Sequence, residues 1–286
     1  MRYLIVNADD CGASPEINEA VRECYLADRI SGVSIMPSGG FFQEAVSILK
    51  DLKKVDVGVH LTLTGGFHPS CSEQNRVSAL LDSDGVFVSG YPDLAMRYVL
   101  GSIRLEHIYP EFRAQIKKTI DSGLSVTHLD GHEHIHMFPG ILKVLLRLAC
   151  EFGIPYIRVP VENPVVITKS FSVKDLIRYF LLRTTSGVSK KHMRGTGIKF
   201  NDAFFGHFHS GRMTDDIFRF VLDYMPPGIT EIATHPDTSP SKKSGEFDML
   251  MNGVWKTRAE ALGIKLVSHR EALMLGKLEI GAGEGT

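Results

Sequence analysis

Four short apolar runs in this chain each end in residues that can bind a metal or move a proton, and that recurrence restricts the fold more than any other feature. Residues 3–8 run into Asp9 and Asp10, 57–59 into His60, 126–129 into Asp130, Gly131 and His132, and 232–234 into His235. Between the runs, apolar residues recur at helical spacing. Ser14, Pro15 and Glu16 read as a helix start, with serine as N-cap and proline at the first helical position. Ile17, Ala20, Val21 and Cys24 then fall on one face. Further strands are expected at 33–36, 156–159 and 265–267, and further helices at 42–52, 108–121, 139–152, 172–187 and 214–224. Such alternation implies a mainly parallel sheet. Six or seven strand–helix units fit a distorted (β/α) TIM-like barrel, with an open doubly wound sheet as the alternative. In a barrel the carboxy-terminal strand ends converge on one face, so Asp10, His60 and His132, 50 and 72 positions apart, can meet in one pocket.

The 286 residues suit one large α/β domain. A barrel over 1–276 is expected, with 277–286 as a disordered tail. Residues 65–100 read as an irregular excursion, and 188–213 as a polar, glycine-rich stretch without a period. The net charge of −1 leaves no electrostatic footprint for nucleic acid. The four cysteines, Cys11, Cys24, Cys71 and Cys150, form no C-x-x-C pair and read as free thiols. The N-terminus lacks a signal peptide and no apolar stretch approaches the roughly 20 residues of a membrane span, so a cytoplasmic protein is expected. Neither dinucleotide nor P-loop glycine motifs are present.

Adjacent carboxylates such as Asp9 and Asp10 repel each other unless a cation or a shared proton intervenes. Either could bind a metal while the other serves as a base, or both could form a polar turn before Cys11 and Gly12. His60 alone would read more readily as a core residue than as a ligand, and only the whole constellation makes it a candidate. Residues 128–136 are denser: His128, His132, His134 and His136 stand with Asp130 and Glu133 in nine positions. Imidazole and carboxylate suit Zn, Mn, Fe, Co or Ni. His132-Glu133 through His136 formally matches H-E-x-x-H, but that motif works on a helix, and here a strand and turn precede it while Pro139 follows. His235 could act as general acid, oriented by Asp237. Arg158, at another strand end, could pair with Asp9 or bind substrate. His134 and His136 are expected at the substrate; His207 and His209 could reach it too but are more readily read otherwise, and have no metal role. His68, His107, His192 and His269 read as surface or helix residues.

At these positions the chain resembles the YdjC-like carbohydrate deacetylases, the family that includes chito-oligosaccharide deacetylases. The matching residues are Asn7-Ala8-Asp9-Asp10-x-Gly12, Gly58-Val59-His60-Leu61, Thr127-His128-Leu129-Asp130-Gly131-His132-x-His134-x-His136-Met137-Phe138-Pro139, and Thr234-His235-Pro236. The resemblance implies a distorted barrel holding one divalent metal ion on Asp10, His60 and His132, often Mg2+, with Zn2+ or another transition metal as alternatives. It implies Asp9 as base and His235 as acid in removing an N-acetyl group from an acetylated sugar. Cys11 replaces the usual aromatic residue and Gly131 the frequent serine, which puts substrate choice in doubt more than chemistry. A hopanoid-biosynthesis branch shares the architecture. The expected partner is a small acetylated sugar, and a homodimer is left open. The rival readings are another metallohydrolase on the same barrel, such as an amidohydrolase or phosphoesterase, and a sugar-binding module without catalysis.

Overall fold

The computed structural model describes the chain except residues 139, 163–179, 181–182, 185–186, 188–189, 191, 194, 241–244 and 282–286, and the side chains of 276–281. The helix expected over 172–187 falls mostly outside the described residues, as do the last five residues of the tail. Among the described residues eight parallel strands form one sheet: β1 Arg2–Cys11, β2 Gly32–Ile35, β3 Val57–Leu61, β4 Val126–Gly131, β5 Tyr156–Ile157, β6 Ala203–Phe205, β7 Gly228–Thr234 and β8 Ile264–Leu266. Their order is β5-β4-β3-β2-β1-β7-β6, with β8 on β1 beside residues 2–4. Beyond β5, bridges pair Tyr156 with Lys199 and Glu162 with Phe204 on β6. Those bridges join the two ends of the strand order, so the sheet curls into a distorted barrel and is not an open doubly wound sheet.

Helices among the described residues include α1 Pro15–Leu26, α2 Phe42–Asp51, α3 Gln74–Val77, α4 Tyr91–Val99, α5 Leu105–Asp121, α6 Ile141–Phe152, α7 Asp215–Asp223, α8 Gly245–Asn252, α9 Val254–Ala261 and α10 His269–Gly281. The Ser14 side chain accepts the Ile17 N–H and Pro15 opens α1, as the sequence motif requires. The 65–100 excursion is partly helical, containing α3 and α4. The stretch read as aperiodic contains β6, whose three residues are too few to display a period. No helix among the described residues is long and apolar enough to cross a membrane.

Alternation along the strands sorts the side chains between two environments. Leu4, Val6 and Ala8 of β1 pack outward with Val21 and Cys24 of α1 and Ala45 and Leu49 of α2. Val59, Leu61 and Leu129 do the same against Ile108, Phe112 and Ile116 of α5 and Leu145 and Leu148 of α6. The opposite faces point into the barrel, and they are polar: Asn7, Asp9, Ser34, His60, His128, Asp130, Arg158 and Glu231 are all buried. His269, read from sequence as a surface or helix residue, does open a helix, α10, but inside this interior, where it is fully buried and stacks on His128 at 3.5 Å between ring centroids. Space there is tight. A Cβ at Gly58 would stand 2.2 Å from the His128 ring, so β3 approaches β4 this closely only with glycine.

Candidate active site

The first strand ends in a β-bulge. Ala8 pairs with Val33 but Cys11 pairs with Ile35, so β1 carries one residue more than its partner. Asp10 takes φ 62°, a left-handed conformation costly for a residue with a Cβ. The bulge breaks the alternation that would send Asp9 and Asp10 to opposite faces, and both line one cleft of about 340 Å3. His60 from β3, His132 after β4, and His235 after β7 line the same cleft, with Glu133, His134, His207, Phe208 and Arg212. A larger surface groove of about 710 Å3 between α2 and α5 contains none of these residues.

Asp10, His60 and His132 each bring a donor atom within 4.8 Å of the others. The Asp10 Oδ1 lies 3.3 Å from His60 Nε2 and 3.0 Å from His132 Nδ1. His60 Nδ1 lies 2.8 Å from Asp130 Oδ1, which fixes the ring and leaves Nε2 toward Asp10. Burial alone would lower the His60 pKa, but Asp130, Asp9 and its hydrogen bonds raise it to about 10. Burial likewise opposes ionisation of Asp10, and His132 and His60 hold its carboxyl well below the usual range despite that. Surroundings that favour positive charge so strongly on an imidazole equally favour a divalent cation. The donor set fits one: two imidazoles and a carboxylate, with Asp10 and His132 part-exposed toward the cleft, where substrate and water have access. Asp9, His60 and Asp130 form a second, wholly buried group of possible ligands, but Asp9 and Asp130 there already share Arg158.

Arg158 is the hub of the interior. Its Nη1 and Nη2 donate to the two oxygens of Asp9 at 2.7 and 2.8 Å, Nη2 lies 2.8 Å from Asp130, and Nε donates to Glu231 at 2.6 Å. Burial pushes Asp9 upward, but Arg158 and His60 outweigh it and leave the carboxyl at about 2. Asn7 donates to Asp9 and to Ser34, whose hydroxyl donates to Asp130 at 2.7 Å. Both oxygens of Asp9 and both of Asp130 are therefore aimed by buried partners.

This depth corrects two expectations. His136, read as a substrate contact, and Arg158, read as a substrate contact or a partner of Asp9, are both 0% exposed and neither lines the cleft, so of these readings only the Arg158–Asp9 pair is present. Arg158 is consumed by three carboxylates, and His136 Nε2 is bonded to the Arg158 carbonyl oxygen at 3.0 Å. His134 does line the cleft, its ring 5.0 Å from that of His207. Residues 132–137 form a 3₁₀ turn with Glu133 and His134 in left-handed conformation, so the H-E-x-x-H match is not on an α-helix. His235 donates its backbone N–H to Glu246 at 2.5 Å, and its Nδ1 lies 3.7 Å from the same carboxylate. Asp237, which from sequence could orient His235, accepts the Ser239 N–H. Burial would lower the His235 pKa, but Glu246, Asp10 and Asp9 raise it to about 9. Cys11, beside Asp10, is no nucleophile, because burial pushes its thiol up to about 12.

From sequence Asp130 counts among the possible ligands or proton carriers without a specific role, and Glu231 and Glu246 have none. Asp130 was within reach: it stands on β4 two positions beyond His128, on the same strand face. Glu246 had no such signal, since α8 reaches His235 only through tertiary packing.

The profile described as YdjC-like protein matches residues 3–261. The chain belongs to this family. A carbohydrate deacetylase of Brevibacillus brevis is 32% identical over 234 residues, 82% of this chain and 80% of that protein. A carbohydrate deacetylase of Thermoanaerobacter pseudethanolicus is 26% identical over 236 residues, 82% and 81% of the two chains. Among solved structures, a candidate cellobiose-phosphate cleavage protein of Enterococcus faecalis superposes with a TM-score of 0.74 at 22% identity, covering 94% of this chain and 98% of that one, which shows that the two share their fold over nearly their whole length.

Proposed function

We propose that this chain hydrolyses the acetamide of an acetylated amino sugar or chito-oligosaccharide, releasing acetate. One observation carries the reading: donor atoms of Asp10, His60 and His132 gather within 4.8 Å in a cleft that Asp9 and His235 also line. The names of the relatives support the substrate class. Asp10, His60 and His132 would hold one divalent ion, and two nitrogen donors in three favour a transition metal such as Zn2+ over Mg2+. When bound, the ion supplies Lewis-acid polarisation of the acyl oxygen and of the attacking water, which a carboxylate as acidic as Asp9 needs before it can take the water's proton.

The remaining work belongs to the chain. Asp130 holds the His60 ring in the orientation that presents Nε2. Arg158 and Asn7 keep Asp9 ionised and aimed, so that it is a base at any physiological pH. His235, with its pKa raised to about 9, is protonated at neutral pH and can donate to the departing amine. His134 and His207 stand where the sugar would lie.

The test is direct. Protein reconstituted with Zn2+, Mn2+, Co2+ or Mg2+ is incubated with a panel of acetylated sugars, N-acetylglucosamine oligomers among them, and free acetate is assayed. Acetate release with formation of free amine is expected. Phosphate or carbamate products from other substrates, or tight sugar binding without turnover under every metal, refute the proposal.

A further inference from the structure

Behind the cleft, and not lining it, lies another buried carboxylate. Glu162 is 2% exposed and forms the bridge to Phe204 that helps to close the barrel. Its oxygens are divided between two backbone amides: Oε1 accepts the Gly206 N–H at 3.0 Å and Oε2 the Phe208 N–H at 3.2 Å. The His207 backbone bonds to it as well. On the other side the same segment presses on β7. Gly206 has φ 114°, and a Cβ there would stand 2.3 Å from the Ala233 carbonyl oxygen. Residues 206–208 are thus held between a buried carboxylate and the strand that leads to His235. Their side chains form one wall of the cleft, with the His207 ring 5.0 Å from His134 and 5.5 Å from Phe208. Burial raises the Glu162 carboxyl to about 8, so the fold retains here a group that is costly to bury.

We propose that Glu162 is a positioning residue for substrate: through the backbone amides of 206–208 it sets where His207 and Phe208 stand in the cleft. Its effect falls on substrate binding and not on the chemical step, since it touches neither the ion-binding residues nor Asp9 and His235. The kinetic part of this inference rests on the hydrolase reading; the clamp itself does not.

Wild-type protein and Glu162→Gln are compared by amide hydrogen exchange, sugar binding and steady-state acetate release. The glutamine keeps one acceptor but turns an NH2 toward the other N–H. Loss of one acceptor oxygen to a backbone N–H predicts exchange faster by roughly tenfold or more, confined to 206–208, and a KM raised about tenfold with kcat within about threefold. His207→Ala should raise KM similarly, and Glu162→Gln should add little on that background. Unchanged exchange at 206–208 overturns the clamp. Faster exchange with unchanged KM, additive effects with His207→Ala, or a fall in kcat with lost metal content overturns the positioning role. If wild type releases no acetate, the hydrolase reading fails, and positioning is then decided by exchange and by the Kd for N-acetylglucosamine oligomers, where an unchanged Kd overturns it. Should Glu162→Gln melt more than about 10 °C below wild type, Glu162→Asp is read instead, with the same pattern expected, because it keeps both carboxyl oxygens but withdraws them by one methylene.

Discussion

Replacing Arg158 by methionine removes the one guanidinium shared by Asp9, Asp130 and Glu231, all at most 2% exposed. Glu231 gives the scale. Burial raises its pKa, but Arg158 and His269 bring it down from 4.5 to about 2. At about 1.4 kcal/mol per tenfold change in acidity, that depression corresponds to roughly 3 kcal/mol of folding free energy at neutral pH. Asp9, also held at about 2, shares the same cation, so the two contributions overlap and do not simply add. Breaking a buried ion pair by removing one partner costs about 3–5 kcal/mol, and the loss expected for Arg158→Met is of that size or somewhat larger. For a chain of this length this lowers the melting temperature by roughly 10 °C. The sign with pH follows from the depressed carboxyls. Their contribution in wild type is complete above their ordinary range and is lost as pH falls toward 2. In Arg158→Met the same buried carboxylates lack a cation, so they destabilise at neutral pH and recover on protonation. The gap between the two proteins should therefore be widest near pH 7 and narrow toward pH 4. Thermal unfolding followed by circular dichroism, with chelator present to exclude ion binding, measures it. A variant melting within about 2 °C of wild type at pH 7, or a gap that widens on acidification, refutes the reasoning.

His60→Ala and His132→Ala each remove one of three protein donors and should lower divalent-ion affinity more than about 100-fold together with turnover; titration calorimetry with Zn2+ checks this. Asp130→Asn, which leaves the donors intact but loosens the His60 ring, should weaken ion binding about 10–100-fold in the same assay. Glu246→Gln removes the carboxylate that helps to hold the His235 pKa near 9. Because an acid must be protonated to act, the high-pH limb of kcat/KM should move to lower pH, with roughly tenfold loss near pH 8 and little change at pH 6. Chelation should abolish acetate release reversibly, with Zn2+, Mn2+ or Co2+ restoring more activity than Mg2+.

The residues at the barrel mouth were legible because each ends an apolar strand run, and period-2 alternation with a polar stop is a local signal. Asp9, Asp10, His60, His132 and His235 all carried it, and all line the cleft. Depth was not legible. Arg158 also follows two apolar strand residues, yet it lies one layer below the mouth, where three carboxylates claim it. His269 looked like an ordinary helix residue because nothing near it in sequence shows that α10 starts inside the barrel. Glu162 and Glu246 act through backbone amides of distant segments, and a backbone amide has no residue type by which a sequence could announce it.

By itself, then, the amino-acid order determined the strand–helix alternation, the parallel barrel that alternation requires, and the set of acids and imidazoles at its mouth, since each of these depends on spacing within a few residues. The tertiary structure alone decided which of those groups face the cleft and which are spent inside. That division depends on the one-residue bulge that turns Asp9 and Asp10 to the same side, and on partners more than 70 positions apart meeting across the barrel. Burial makes the choice stringent: in a low-dielectric interior each charge must find its partner, and only the closed barrel determines which partners are in reach.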